Sequence, residues 1–228
     1  MKSDFTLNEY KERLKCDYLD RRSSLRGEVQ RQLIHLLTGI TLIFFIRTAG
    51  SMALTVLLFL LVFYVLLSMV IITNKLPLWL SAFLCRWGRP SKRNIPLKGT
   101  ILLLCGVTLS FILFPEDIIY ASIAIVAFGD SVATAVGVLI GNHKLPYSEQ
   151  KTVEGTISGI VAAFLASSLF VTPVQALVGS LGGMLLESVV DSQTIREHDF
   201  QPKNKFLLND NFLIPLFSGL LMFIIGLC

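Results

Sequence analysis

Asp130 stands inside an apolar run from Ile118 to Ile140, a stretch long enough to cross a bilayer. A carboxylate in such a run is costly to bury in hydrocarbon, so an intramembrane Asp marks a functional site by default. Directly after the run come Gly141-Asn142-His143-Lys144-Leu145-Pro146 and Lys151-Thr152-Val153-Glu154-Gly155-Thr156, and the chain then returns to apolar sequence. A short polar hairpin thus ties a carboxylate in one segment to lysines and hydroxyls at the start of the next. Carboxylate, lysine and hydroxyl groups gathered in this way suit a metal ion and phosphates held at a membrane surface.

Further polar residues fall at segment ends. Arg31 and His35 are one helical turn apart and share a side of their helix. Glu187 and Asp191 close another apolar segment four residues apart, and Asn209-Asp210-Asn211 opens the last one. Asp130, Glu187 and Asp210 are therefore three hard oxygen donors on three segments, facing the acid-free basic stretch Asn74–Lys98, and they suit magnesium shared with a nucleoside triphosphate. Simpler readings exist for parts of this set: an Asn-Asp pair at a helix start is also an ordinary cap, and topology alone produces basic loops. No Walker-type phosphate loop, Gly-x-Gly-x-x-Gly fingerprint, Gly-x-Ser-x-Gly elbow or zinc spacing of His35, His143 and His198 occurs. A nucleotide site would have to be built from helix ends and the hairpin.

The elements that must position these groups are hydrophobic helices. The chain of 228 residues is 53% hydrophobic and 16% charged, with a mean hydropathy of +0.67. This composition indicates an all-α, multispanning membrane bundle rather than a soluble fold. Seven spans are expected: Leu33–Ile46, Met52–Ile72, Ile101–Phe114, Ile118–Ile140, Ile157–Val171, Val174–Val190 and Phe212–Leu227. The apolar segment Leu76–Cys85 is too short to cross and is expected to lie at the interface or re-enter.

If the seven spans alternate, nineteen of the twenty basic residues fall on one side, and only Arg47 falls on the other. The positive-inside rule then places the N-terminus in the cytoplasm and Cys228 outside. Residues 1–31 form a charged arm with Leu7, Tyr10 and Leu14 at helical spacing, and 32–228 form the membrane domain. Two stripes of small residues recur every fourth position, Gly129/Ala133/Gly137/Gly141 and Gly155/Gly159/Ala163/Ser167. Such stripes let helix backbones approach closely in lipid, and the first should turn Asp130 toward the bundle interior. The four cysteines are scattered and have no ligand or redox spacing.

Gly129-Asp130-Ser131-Val132-Ala133, then Gly137, Gly141, His143-Lys144-Leu145 and Lys151-Thr152-Val153-Glu154-Gly155-Thr156, resembles the signature of the CTP-dependent lipid-alcohol kinases. That group includes dolichol kinase, phytol kinase and the yeast-type diacylglycerol kinase, relatives of phosphatidate cytidylyltransferase. Arg31…His35…Gly39, Glu187-Ser188 and Asp210-Asn211-Phe212…Pro215 are similar to its flanking motifs, whereas Asn209 stands where the family usually has a first Asp. The resemblance implies a CTP-dependent kinase that phosphorylates a long-chain alcohol (polyprenol, dolichol, phytol or diacylglycerol) at the cytoplasmic face. Asp130, Lys151 and Glu154 would be catalytic. Lys144, Thr152, Gly155, Thr156, Arg31 and His35 would hold nucleotide phosphates, and Asp130, Asp210 and Glu187 would hold Mg2+. A cytidylyltransferase making a CDP-lipid and a small transporter with Asp130 in its ion path are the alternatives. A membrane lipid and a nucleoside triphosphate are the expected partners; nucleic acid is not, and the oligomeric state is left open.

Overall fold

The computed structural model describes residues 25–72, 97–196 and 209–227. Residues 1–24 of the expected arm, the short apolar segment Leu76–Cys85 and all but the end of the basic stretch Asn74–Lys98 lie outside the described residues. Helix α1 (Leu25–Ala49) passes through a tight turn, Gly50–Met52, into α2 (Ala53–Ile72). Gly50 has φ +51, a left-handed conformation that breaks the helix and that residues with a Cβ rarely adopt. Then come α3 (Lys98–Leu113), α4 (Glu116–Ala124), a π-helical turn (Ile125–Asp130) and α5 (Ser131–Ile140). A small hairpin of β1 (Lys144–Leu145) and β2 (Ser148–Thr152) leads into α6 (Val153–Ser167), α7 (Pro173–Arg196) and α8 (Asp210–Gly226).

Helix ends follow local chemistry. Phe114 is extended because Pro115 follows it, which ends α3 and starts α4 one residue later. Pro173 sits at the first position of α7, where its missing N–H costs nothing. Thr152 caps α6 by accepting a hydrogen bond from the Gly155 N–H at 3.2 Å.

Burial is distributed as a lipid environment requires. Leu37, Phe44, Phe59, Leu139, Leu165 and Leu169 lie on the outside, all 60% exposed or more, a surface that water would not tolerate over several helices. Buried polar groups such as Thr108, Ser122, Ser167 and Ser218 each donate to a carbonyl three or four residues back on their own helix. Among the described residues, three stretches are long and apolar enough to cross a membrane, Val29–Val70, Glu116–Ile140 and Pro173–Val190, and three shorter apolar helices accompany them. The chain is a membrane protein built of apolar helices.

The small-residue stripes meet each other. A Cβ added at Gly159 would lie 2.7 Å from the Ala133 Cβ and 2.9 Å from the Gly129 carbonyl. One added at Gly155 would lie 2.6 Å from the Ala133 carbonyl. The backbones of α5 and α6 are therefore nearly in contact, and only glycine fits between them. On the opposite side, Gly39 of α1 packs onto Ala127 of the π turn, and Gly106 of α3 onto the Phe212 backbone of α8.

One sequence expectation is corrected. The polar connection after α5 contains a two-stranded antiparallel ribbon, with Lys144 opposite Thr152 and Leu145 opposite Ser148, so the all-α description holds for the bundle only. A strand of mixed polar residues has no apolar periodicity to announce it; here the turn at Pro146-Tyr147 brings the two sides together. Helix α7 runs on to Arg196, past the apolar stretch Pro173–Val190, so Glu187 lies near the end of that stretch, as expected, with the helix continuing beyond it.

Candidate active site

The π turn is where the site begins. Six residues, Ile125–Asp130, are wound more widely than an α-helix, and such turns recur at functional sites. Asp130 closes the turn and is 8% exposed. It points into the bundle, as the adjacent glycine stripe predicts. Around it α1, the hairpin and α7 each supply one side chain.

Lys151, on the second hairpin strand, reaches inward. Its ammonium forms an ion pair with Glu187 Oε1 of α7 and lies 3.9 Å from Asp130 Oδ1. Glu187 is 1% exposed, and its second oxygen, Oε2, is buried with no hydrogen-bond partner. His35 of α1 places Nε2 at 3.8 Å from Asp130 Oδ2. Thr134, one turn after Asp130, donates its hydroxyl to Oδ1 at 3.2 Å. Asp210, at the start of α8, is a third charged neighbour of Glu187 together with Asp130 and Lys151. The cluster thus holds two buried acids, a lysine between them and an imidazole at its edge.

The hairpin is held in this position at several points. Tyr147, in its turn, makes a hydroxyl–hydroxyl hydrogen bond of 2.9 Å with Ser188, the residue beside Glu187. The Lys151 N–H donates to the Ser148 hydroxyl at 3.1 Å. The Val153 N–H donates to the His143 carbonyl at 2.9 Å. Glu154 accepts from the His143 N–H at 3.2 Å and lies 2.5 Å from His143 Nδ1. These hydrogen bonds, the His143 side chain first, lower the Glu154 carboxyl to about 2 from its ordinary value near 4.5.

Of the residues expected from sequence, Asp130, Lys151, Glu187 and His35 are brought together, with Asp210 nearby. Glu154 is turned to His143 and works as a hairpin staple. Thr152 is buried as the α6 cap, and Gly155 is pressed against the α5 backbone, so capping and packing account for both. Thr156 is buried, Lys144 is exposed on β1, and Arg31 is half-buried one turn before His35. Asn209 caps α8 by accepting from the Asn211 N–H at 3.1 Å, and Asp210 Oδ1 accepts from the same N–H at 2.8 Å. Gln32, Thr134 and Tyr147 were missed. Gln32 lends its carbonyl to the Ser131 hydroxyl at 3.1 Å, which fastens α1 beside Asp130. Of the three, only Thr134, four residues after Asp130, carried a spacing that could have pointed to it.

Among the described residues, no three His, Cys, Asp or Glu side chains form a ready metal cage. The donor set does fit a hard cation that keeps most of its shell from phosphate and water. Magnesium commonly takes one or two carboxylates plus substrate phosphates, and Glu187 Oε2 is a buried oxygen without a partner beside Asp130.

An acid–lysine–acid centre sunk in a bundle of lipid-facing helices defines an integral membrane protein with a buried polar site. Comparison with known proteins narrows the class. Farnesol kinase, chloroplastic, of Arabidopsis thaliana is 30% identical over 142 residues, which covers 60% of this chain and 46% of that protein. Probable phytol kinase 2, chloroplastic, of Oryza sativa subsp. japonica is 29% identical over 136 residues, 54% of this chain and 42% of that protein. The chain spans less than half the length of either relative. No family model matches it, and no solved structure does.

Proposed function

We propose that this chain is a lipid-alcohol kinase that transfers the γ-phosphoryl group of CTP to the hydroxyl of a long-chain alcohol. The observation that carries the reading is Lys151 held between Asp130 and Glu187 inside the apolar bundle. A lysine placed there has little structural use, because a well-packed apolar trio of similar volume would be as stable or more so. It does have a use if the site receives phosphate. The two relatives, named as farnesol and phytol kinases, support the same class.

In this reading the bundle crosses the membrane seven times, with 32–228 as the catalytic domain and the polar end at the cytoplasmic face. The one-sided distribution of basic residues supports that orientation. The acceptor alcohol comes from the bilayer with its tail among the outward apolar side chains. Its oxygen forms a bond to the γ-phosphorus while the bond from phosphorus to the β–γ bridging oxygen breaks. CDP leaves with that electron pair, and the hydroxyl proton passes to the Asp130 carboxylate. Lys151 neutralises charge on the transferring group, and Glu187 holds Lys151 in place. Lys144 on β1 and Thr156 in the first turn of α6 would contact the nucleotide phosphates. Asp130, Glu187 and Asp210 are the residues that would hold magnesium, which when bound supplies positive charge for the leaving diphosphate. Phosphoryl transfer asks the protein chiefly for position and charge, and this cluster offers both.

The test is purified protein in lipid nanodiscs given CTP or ATP with farnesol, phytol or a polyprenol, the product being identified by mass. An alkyl monophosphate is expected. The γ-phosphate label should enter lipid and the α-label should not; the reverse outcome would make the protein a cytidylyltransferase. Asp130→Asn should abolish turnover while the protein still elutes and melts as wild type does. Near-normal turnover in that variant would remove Asp130 from the reaction.

A further inference from the structure

Lys151 sits where the hairpin ribbon is irregular. Lys144 pairs with Thr152 and Leu145 with Ser148, so β1 advances one residue where β2 advances four. Lys151 lies within that slip, outside the two regular pairs. An irregularity of this kind re-aims a side chain, and here it turns Lys151 inward to Glu187. A two-stranded ribbon is marginal by itself, so the place of Lys151 has to come from the helices around the hairpin. On the α6 side, the Thr152 cap and the Val153 N–H bond to the His143 carbonyl supply it. On the turn side, Tyr147 reaches across to α7.

The Tyr147 side chain is exposed at the turn, but its hydroxyl lies 2.9 Å from Ser188 Oγ. Ser188 is buried and donates its own proton to the Leu185 carbonyl at 2.8 Å. A hydroxyl has one proton to give, so Tyr147 is the donor of the pair and Ser188 Oγ the acceptor. Ser188 directly follows Glu187, which holds the Lys151 ammonium. Two neighbouring residues of α7 thus take two side chains of the hairpin, one from its turn and one from β2. The ion pair fixes only the tip of a flexible four-carbon stem, whereas the tyrosine bond fixes the backbone from which that stem springs. Resting on the kinase reading above, we propose that Tyr147 is a positioning residue for Lys151. Its hydrogen bond to Ser188 holds the hairpin on α7 and so keeps the ammonium between Glu187 and Asp130. Tyr147 acts through the lysine and not on the substrate.

The experiment uses the full chain in nanodiscs as wild type, Tyr147→Phe, Ser188→Ala and the double variant. Each is treated with a water-soluble amine-acylating reagent, without nucleotide or lipid alcohol. Acylation of Lys151 is read by peptide mass spectrometry against Lys144, which is exposed on β1. Tyr147→Phe should raise the Lys151-to-Lys144 ratio about fivefold, the population change set by one net hydrogen bond. Ser188→Ala should do the same, and the double variant should match either single one, because all three remove one bond. Should one single variant fail to elute as folded protein, the other scores the same bond. Ser122→Ala, which removes a buried hydroxyl from α4, should leave the ratio unchanged. At saturating CTP, with whichever alcohol the wild type phosphorylates fastest, Tyr147→Phe should lower kcat by up to about fivefold and leave the alcohol KM in place. An unchanged acylation ratio, an equal rise in Ser122→Ala, or additive effects of the two single variants would each overturn the proposal. So would a raised alcohol KM with kcat unchanged, which would make Tyr147 a substrate contact. If the wild type phosphorylates no alcohol with CTP or ATP, the kinase reading fails by itself, and the acylation ratios still decide whether Tyr147 holds Lys151.

Discussion

Two carboxylates on or beside the hairpin, Glu154 and Glu187, each meet a nitrogen-bearing side chain, and the two pairs live in different media. His143 and Glu154 meet on the surface, where water solvates both and each also serves the backbone. Lys151 and Glu187 meet inside the bundle beside a second acid, Asp130, where little water reaches. The exposed pair is inexpensive and is explained by what it does for the hairpin turn. The buried set costs desolvation for every charge in it and does nothing for the fold that apolar side chains could not do. That contrast is the physical reason for the proposal to give Lys151 a role in the chemistry and Glu154 a role in the hairpin, although the family resemblance implied a catalytic role for both.

Breaking the buried pair should have the largest effect. Lys151→Ala leaves Glu187 and Asp130 facing each other with no cation between them. Loss of one partner from a buried pair costs about 3–5 kcal/mol, so a clear fall in melting temperature is expected along with loss of turnover. Replacing both partners, Lys151→Met with Glu187→Met, should restore most of the stability and none of the activity. Thermal melts in detergent alongside a turnover assay read both quantities. A double variant that stays as unstable as the single one would mean that the pair holds the fold together, and the contrast with the surface pair would collapse.

A step down in size is the glycine contact that sets the cluster's geometry. Gly159 has no room for a methyl group, which would lie 2.7 Å from both the Ala133 Cβ and the Met184 Cε. Gly159→Ala should cost about 1–3 kcal/mol as overpacking, with α6 pushed away from the π turn that carries Asp130. Activity should fall more than stability predicts, because Lys151 precedes α6 and moves with it. Equal losses in Gly159→Ala and in a small-to-large change remote from the site would show that packing here has no special tie to the cluster.

Much of this was legible in the sequence because lipid imposes strong rules. An Asp in an apolar run and small residues every fourth position each have few physical explanations, and the glycine stripes do meet as backbones in contact. What was not legible depended on distances between segments far apart in the chain. Nothing in the sequence distinguishes Lys151 turned inward to Glu187 from Lys144 left exposed on the neighbouring strand. Nor does it reveal that Thr152 and Gly155 are consumed by capping and close packing, because a cap, a packing glycine and a phosphate contact call for the same residue types. The π turn has no periodic signature at all, since its six residues read as a continuation of the apolar helix on either side.

The smallest effect belongs to the surface pair, and pH isolates it. Glu154 titrates at about 2 in the folded hairpin against an ordinary value near 4.5, chiefly because it accepts from His143. A depressed carboxyl contributes stability that is fully present above its unfolded value and is lost as pH falls through its folded one. The hairpin should therefore keep its hydrogen-exchange protection at the His143 and Val153 amides from neutral pH down to about pH 4.5, and lose it progressively toward about pH 2. Glu154→Gln should remove that pH dependence and leave protection low throughout, while turnover near neutral pH stays close to wild type because Lys151 keeps its own anchor on Glu187. Loosening that begins well above pH 4.5, or turnover in Glu154→Gln as low as in Lys151→Ala, would put Glu154 back into the catalytic set.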